Sequence, residues 1–349
     1  MEENRRTDEF RPAGGRLLQQ SVLKHIRRKG SGVKEGAAIG FDAAIFQNRD
    51  GFAVQATGAE ATARIPADYP LTAGELAWIT AENQLATAGV YADAEAEERE
   101  IFAEVLLTAC LSCPEEVVRR EMQRLAACSA ERHIPIVGGN TVWHGEGSSC
   151  LIQVVMTAHL QTEAEKRRKP KVGDRIFFLG EVGCLGADLL VSRKYGFLRE
   201  RFAESYIDTM RYGRDEFSTV GISRKALSAG AVYLHDVSNF GVHAALYQLA
   251  EAADAGVAVR HEGLLVRQSV IELCEALGRN PYQLLGTGGL LAVVPEDAAK
   301  AFVTGLQDEG ISCGDAGCIT KEKARVVRAE DFVMERYLNL PETDALDIH

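Results

Sequence analysis

Between Arg16 and Val327 short apolar runs of strand character alternate with helical repeats, and a polar, basic stretch at 161–170 breaks this mixture near the middle of the chain. A single core rarely grows beyond about 250–300 residues, so a chain of 349 residues with one such break is expected to fold as two domains. The boundaries that follow are an N-terminal domain over 1–162, a linker over 163–170, a C-terminal domain over 171–335 and a tail over 336–349. Strands and helices mixed in this order predict α/β or α+β layers rather than a doubly wound dinucleotide fold.

In the first half the spacing predicts a helix over 16–28 and a hairpin with strands at 43–47 and 52–57 around Asn48-Arg49-Asp50-Gly51. A helix capped by Thr72 then runs to Gly89, a strand covers 102–111, and Pro114 opens a helix that extends to about Arg132. Strands follow at 134–137 and 150–160, with Gly138-Gly139-Asn140-Thr141 read as a turn between them. Such a turn can bring backbone amides close to a phosphate.

In the second half strands are expected at 175–180, 234–237, 257–261, 290–294 and 319–327. Helices are expected from Gly186 to Tyr195 and over 199–212, 223–230, 243–255 and 295–306. The Gly286-Thr287-Gly288-Gly289 stretch is either an anion-binding loop or a tight turn before a strand.

With 39 basic and 50 acidic residues the formal charge is -11, which disfavours nucleic acid and anionic lipid as partners. The one dense basic run, KRRKPK at 166–171, reads as a solvated linker. The first ten residues lack the apolar core of a secretion signal and no stretch has the length to span a bilayer, so a cytoplasmic protein is expected. The eight cysteines are scattered through apolar segments and read as reduced and buried. Cys110/Cys113 and Cys313/Cys318 are close pairs without the further ligands a zinc site requires.

Several segments, in their order and spacing, resemble the aminoimidazole-ribonucleotide-synthase-like superfamily. They are Gly14-Gly15-Arg16-Leu17, Gly40 to Ile45, Gly74-Glu75-Leu76 followed by Asn83-Gln84-Leu85-Ala86, Ile136 to Thr141, Val172-Gly173-Asp174, Leu234 to Val237 and Gly288 to Leu291. The likeness is greatest to the synthase-related and hydrogenase-maturation branch. It implies an N-terminal domain whose strands join those of a second copy in an intersubunit β-barrel, a C-terminal α+β sandwich, and a homodimer. It also implies an ATP site with magnesium held by aspartates, because phosphoryl transfer needs hard cations on oxygen ligands.

By that resemblance the nucleotide-binding positions are Gly32, Lys34, Asp42, Asn83, Gly138, Gly139, Asn140 and Thr141, and the remaining metal candidates are Asp42 and Glu60. The family's acids are largely missing here. Phe41-Asp42 keeps one of a pair, Gly58 and Gln84 stand where carboxylates are usual, and Asn140 stands where aspartate is common. Glu82 is a possible substitute, yet on a helix it points about 100° from Asn83.

Lys34, His235 and Asp236 are the catalytic candidates, each with a bland alternative. Lys34 either reaches a phosphate from a glycine loop or is simply solvated, and His235-Asp236 is either catalytic or a satisfied, half-buried pair. Phe240 replaces a family glycine and is expected to fill space beside that loop. No cysteine follows Cys318, so the terminal-cysteine chemistry of the maturation factor is not expected. The expected function is therefore a dimeric accessory or maturation protein with a degenerate magnesium-ATP site, holding a nucleotide, another phosphorylated ligand or a client protein. The alternatives are an active ATP-dependent enzyme with Asp42, Glu60 and Asn140 rebuilt into a metal shell, and a purine or phosphosugar sensor.

Overall fold

The hairpin expected around Asn48 forms: β2 (Ala44–Asn48) pairs antiparallel with β3 (Gly51–Ala61), and the short β1 (Val33–Glu35) adds to its outer edge. The computed structural model describes residues 10, 12–26, 30, 32–49, 51–92, 100–160, 167–329 and 332–348, so the turn residue Asp50 and the expected linker residues up to Lys166 lie outside it. With β4 (Ile101–Ala109), β5 (Ile136–Trp143) and β6 (Cys150–Leu160) these strands build a six-stranded sheet in the order β1-β2-β3-β6-β4-β5.

Helix α1 (Ala73–Thr87) starts where the sequence predicts. The Thr72 hydroxyl accepts from the Glu75 amide while the Glu75 carboxylate accepts from the Thr72 amide, a reciprocal capping box. Together with α2 (Glu115–Arg132), α1 covers one face of the sheet, where Val54, Trp78, Leu85, Leu125, Ile152 and Val154 form a core. On β3 the residues facing that core alternate with exposed Gln55, Thr57 and Ala59. The opposite sheet face carries no helix of this chain among the described residues.

The second sheet has seven strands in the order β13-β12-β9-β11-β7-β10-β8. They are β7 (Arg175–Leu179), β8 (Tyr233–Val237), β9 (Gly256–Arg260), β10 (Gly289–Val294), β11 (Cys313–Thr320), β12 (Arg325–Ala329) and β13 (Phe332–Tyr337). Among the helices of this half are α3 (Cys184–Arg199), α4 (Val220–Ser228), α5 (Gly241–Ala253), α6 (Gln268–Leu277) and α7 (Ala299–Asp308). One sheet face packs on α5 through Phe178, Val242, Leu246 and Val257, and the other packs on α4 and α7 through Phe177, Ala226, Phe302 and Leu306. A third core joins the halves, with Leu76 and Ile79 of α1 against Leu185, Phe217, Leu273 and Leu346. The architecture is the mixed α/β, two-sheet arrangement expected from the sequence.

Several local expectations fail, each for a physical reason. Gly138-Gly139-Asn140-Thr141 is not a turn but lies inside β5, parallel to β4, with an extra residue at Val137. A Cβ at Gly139 would come within 1.9 Å of the Val105 carbonyl oxygen, so the glycine serves a close strand approach. Residues 16–28 do not make one α-helix: the described part is a short α turn, a π turn and a 3-10 turn, and 27–28 lie outside the described residues.

Beyond Arg199, the last residue of α3, the stretch to 212 is helical only over Glu204–Asp208, because Ala203 becomes extended and lets Ile207 and Met210 drop into the core. What reads as one strand over 319–327 is the end of β11 and the start of β12, which flank β9 on opposite sides. Helix α6 is missed by the sequence reading, although Val270, Leu273 and Cys274 are buried at helical spacing.

Within the basic run, whose Lys166 lies outside the described residues, Lys169 and Lys171 are exposed but the two arginines are not simply solvated. Arg167 is half-buried, its side chain 7% exposed, and forms a two-pronged ion pair with Glu35 at 2.7 and 2.8 Å, with its guanidinium 5.1 Å from the Tyr233 ring centre. Arg168 pairs with Asp174. A guanidinium fork matched to a carboxylate holds geometry as well as charge, so this segment ties β1 to the second sheet.

Candidate functional site

At the seam between the two sheets the loop 36–43 leaves β1 and lies against β8 and α5. The Tyr233 hydroxyl donates to the Gly40 carbonyl at 2.8 Å, and this places Asp42 beside His235. Asp42 Oδ1 stands 2.7 Å from His235 Nδ1, and its Oδ2 accepts the Asp236 backbone amide at 2.8 Å. On the far side of the ring Nε2 lies 3.0 Å from Gln248 Oε1. Oxygen atoms thus lie near both ring nitrogens, a setting that favours the protonated ring beside the Asp42 carboxylate. Burial alone would lower the histidine's pKa, but the Asp42 charge and hydrogen bond raise it above the ordinary value.

Asp236 is also fully buried, and neither of its oxygens makes a well-formed hydrogen bond. Burial first, and then the nearby Asp42 charge, push its pKa up from 3.8 to about 8. The folded state thus holds a proton that the unfolded chain releases, and stability falls as pH rises between the two values. Asp236→Asn removes this cost. Its stabilising effect is small near pH 4, grows as pH rises towards about 8, and reaches roughly 4 kcal/mol at pH 7. Thermal unfolding of both proteins across that range checks it; a gain independent of pH would contradict the assignment.

This cluster joins three of the expected site residues, Asp42, His235 and Asp236, in a buried position. A neighbouring cavity of about 370 Å³, walled in part by Ile39, Phe41, Lys169 and Glu251, is lined by none of the three. The other expected residues lie elsewhere. Lys34 is on strand β1 rather than in a mobile loop, with its ammonium 4.3 Å from the Phe52 ring centre. Gly32 precedes it, and its carbonyl accepts from the Gln47 amide. Asn83 is wholly buried: its side-chain nitrogen donates to Phe217 O at 2.9 Å and its oxygen accepts from Thr219 N at 2.8 Å. Both ends of that amide clamp α1 to the approach of α4.

Gly138, Gly139, Asn140 and Thr141 lie on the opposite edge strand, four strand steps from β2. At about 4.8 Å per step that is about 19 Å along the sheet, too far for Asn140 and Asp42 of one chain to share an ion. Glu60 is taken by a cation already present, since Arg64 Nη1 contacts both of its oxygens at 3.0 Å. Among the described residues no group of three or more His, Cys, Asp or Glu is arranged to hold a metal ion. The thiols offer no activated nucleophile at Cys150, where burial pushes the pKa up to about 12.

The places where the resemblance expects further carboxylates are packed. A Cβ on Gly58 would lie 1.8 Å from the Ala77 carbonyl oxygen, because α1 crosses β3 directly over that residue. With its amide nitrogen turned towards the two carbonyls, Gln84 donates to Thr57 O at 3.2 Å and Asp42 O at 3.0 Å. A carboxylate at position 84 would instead repel both. This donor set does not fit magnesium in the arrangement the resemblance implies.

Three residues of the C-terminal segment were not anticipated. Glu342 accepts from the Arg16 amide, and Asp344 accepts from the amides of Phe240, Leu285 and Leu346. Asp347 contacts Arg64 Nε at 3.2 Å. The recurring acids in PETDALD were the available signal, but apart from the Leu346 amide their partners are distant in sequence. Phe240, at φ +65°, caps α5 in the left-handed region that glycine would favour.

Residues 171–330 match the family model of the AIR synthase related protein, C-terminal domain. Together with its relatives, this match makes the chain similar to the AIR-synthase-related proteins and, among them, to HypE. Carbamoyl dehydratase HypE of Bradyrhizobium diazoefficiens is 26% identical over 84% of this chain and 81% of its own. The HypE of Azotobacter vinelandii is 26% identical over 60% of this chain, and the match spans 61% of that protein's length. The crystal structure of hydrogenase maturation protein HypE in complex with ATP superposes with a TM-score of 0.65 at 19% identity, covering 95% of each chain. A HypE–HypF complex structure gives 0.61 at 18% identity over 94% of this chain and 100% of the other. The likeness to the solved structures shows a shared fold. Among the described residues no helix is long and apolar enough to cross a membrane.

Proposed function

We propose that this chain is a dimeric, cytoplasmic accessory protein of hydrogenase-maturation type whose magnesium-ATP site has been built over. The observation that carries this reading is the contact of α1 with β3 at Gly58, where no side chain fits in the position of a family metal ligand. The pairing of Asp42 with His235 and of Glu60 with Arg64 supports it, since each remaining acid already has a protein cation. A HypE relative is solved with HypF and another with ATP. The corresponding roles proposed here are docking of a client protein and binding of a nucleotide or other phosphorylated ligand without hydrolysis.

The proposed dimer rests on the uncovered sheet face and the β5 edge, where Val137, Val142 and Trp143 are exposed at 58%, 44% and 44%. Apolar residues on an unpaired edge strand invite pairing with another chain. In this reading a second copy completes the barrel.

Calorimetric titration with ATP, with and without magnesium, tests the nucleotide part. The expected result is binding that magnesium does not strengthen, with no phosphate released. Tight magnesium-dependent binding with turnover would favour the active enzyme with a rebuilt metal shell. Light scattering at micromolar concentration tests the dimer, and a monomer there would contradict it.

A further inference from the structure

A second polar site lies away from the Asp42–His235 seam, under the C-terminal segment. It is a cavity of about 480 Å³ whose wall includes Arg64, Ser192, Arg193, Lys194, Arg279 and Asp347. Its cations come from three separate parts of the chain: the turn after β3, helix α3 and the loop after α6. Helix α3 departs from helical geometry at Lys194, at φ −117° and ψ 17°. Lys194 has no ion pair among the described residues.

The acceptors now in the site belong to the chain itself. Arg193 donates to the carbonyls of Arg64 and Leu346, Arg279 donates to the carbonyl of Ile348, and Asp347 pairs with Arg64 Nε. Arg64 Nη2 and Arg279 Nε are buried without a partner, although Arg64 is only 5% exposed. Buried guanidinium nitrogens left unpaired are costly, and the two carboxylates on Arg64, Glu60 at Nη1 and Asp347 at Nε, leave its Nη2 unmet.

A tetrahedral dianion presents acceptor oxygens in several directions and suits convergent guanidinium and ammonium groups. The cavity volume falls within the range of small-molecule sites. We propose that this cavity binds a small phosphate ester, and that the segment ending in Asp347 is its internal competitor. The ester's phosphate takes up the unpaired donors of Arg64 and Arg279 together with Lys194, and the Asp347 carboxylate leaves Arg64 as it enters. This site is separate from the nucleotide reading above, so failure of either leaves the other standing.

Calorimetric titration with glycerol 3-phosphate and, separately, with inorganic phosphate tests the proposal on the full chain. The ester is expected to bind wild type, and Lys194→Ala and Arg279→Ala each to weaken it about tenfold. Asp347→Asn, which removes the competing charge, is expected to tighten it. Lys194 is exposed, so the Lys194→Ala protein should keep the wild-type unfolding temperature and separates loss of binding from loss of fold. Tighter binding of inorganic phosphate than of the ester would overturn the ester assignment. Absence of binding to wild type and Asp347→Asn alike, or equal affinity in all variants, would overturn the site.

Discussion

Gly58→Asp, the change that returns a carboxylate where the family resemblance places one, is expected to destabilise the protein severely and to gain no magnesium binding. The new Cβ would stand 1.8 Å from Ala77 O and 2.9 Å from Ala81 N, so α1 must lift from β3. That helix carries Trp78 and Leu85 in the first core and Leu76 and Ile79 in the core shared with the second half. Overpacking by itself commonly costs about 1–3 kcal/mol, and burying an unpaired carboxylate adds a comparable penalty. A loss of at least about 4 kcal/mol is expected, against a total stability usually of about 5–15 kcal/mol.

Urea unfolding measures this as a fall in midpoint, and magnesium titration of the same protein checks the site. A variant as stable as wild type that acquires magnesium-dependent ATP binding would show that the site is only one substitution from its ancestral form. Gly58→Ala provides the comparison. It should already lose much of the stability, because the clash begins at Cβ.

Removing His235 is expected to have the second large effect. The ring is buried between Asp42 and Gln248, and where it is protonated, taking away one member of a buried ion pair typically costs about 3–5 kcal/mol because the other charge is left unpaired. The folded-state pKa of His235 is raised, so its contribution is fully present below the unfolded value of about 6.5 and is lost as pH rises through the folded one. The cost of His235→Ala should therefore be largest in mild acid and shrink in alkali.

Asp42→Asn combined with His235→Ala should cost less than the two single changes summed, since the unpaired charge is then gone. Additive effects would mean that the two residues do not interact. A cost that rises with pH would mean that the ring is neutral in the folded protein.

How much of this was legible in advance depended on the range of the interaction. The β2–β3 hairpin and the Thr72–Glu75 capping box involve neighbours within a few residues, and turn chemistry and capping chemistry announced them. The family likeness was legible because short motifs keep their order along the chain, and it carried the two-sheet fold correctly. It could not say what the surviving acids do. Asp42 and Glu60 are carboxylates in either reading, and only their partners, His235 from β8 and Arg64 from the turn after β3, decide that they face groups of the protein itself.

Misreadings arose where distant backbone approaches outweighed local propensity. Gly138 and Gly139 have turn composition, yet pairing with β4 holds them extended. KRRKPK has linker composition, yet Glu35 on a strand more than a hundred residues earlier draws Arg167 inside. The tail had no apolar periodicity to announce it. Three of its acids nevertheless find donors on the N-terminal segment, the turn after β3 and the loop before α5, while Leu346 fills the shared core.

By itself the sequence determined the class of fold, most of the local elements and the ancestry of the glycine-rich and acidic motifs, because those follow from periodicity, capping and motif order. Tertiary structure alone decided which charges meet. Coulomb attraction and desolvation depend on distance and burial in space, and neither can be read from separation along the chain.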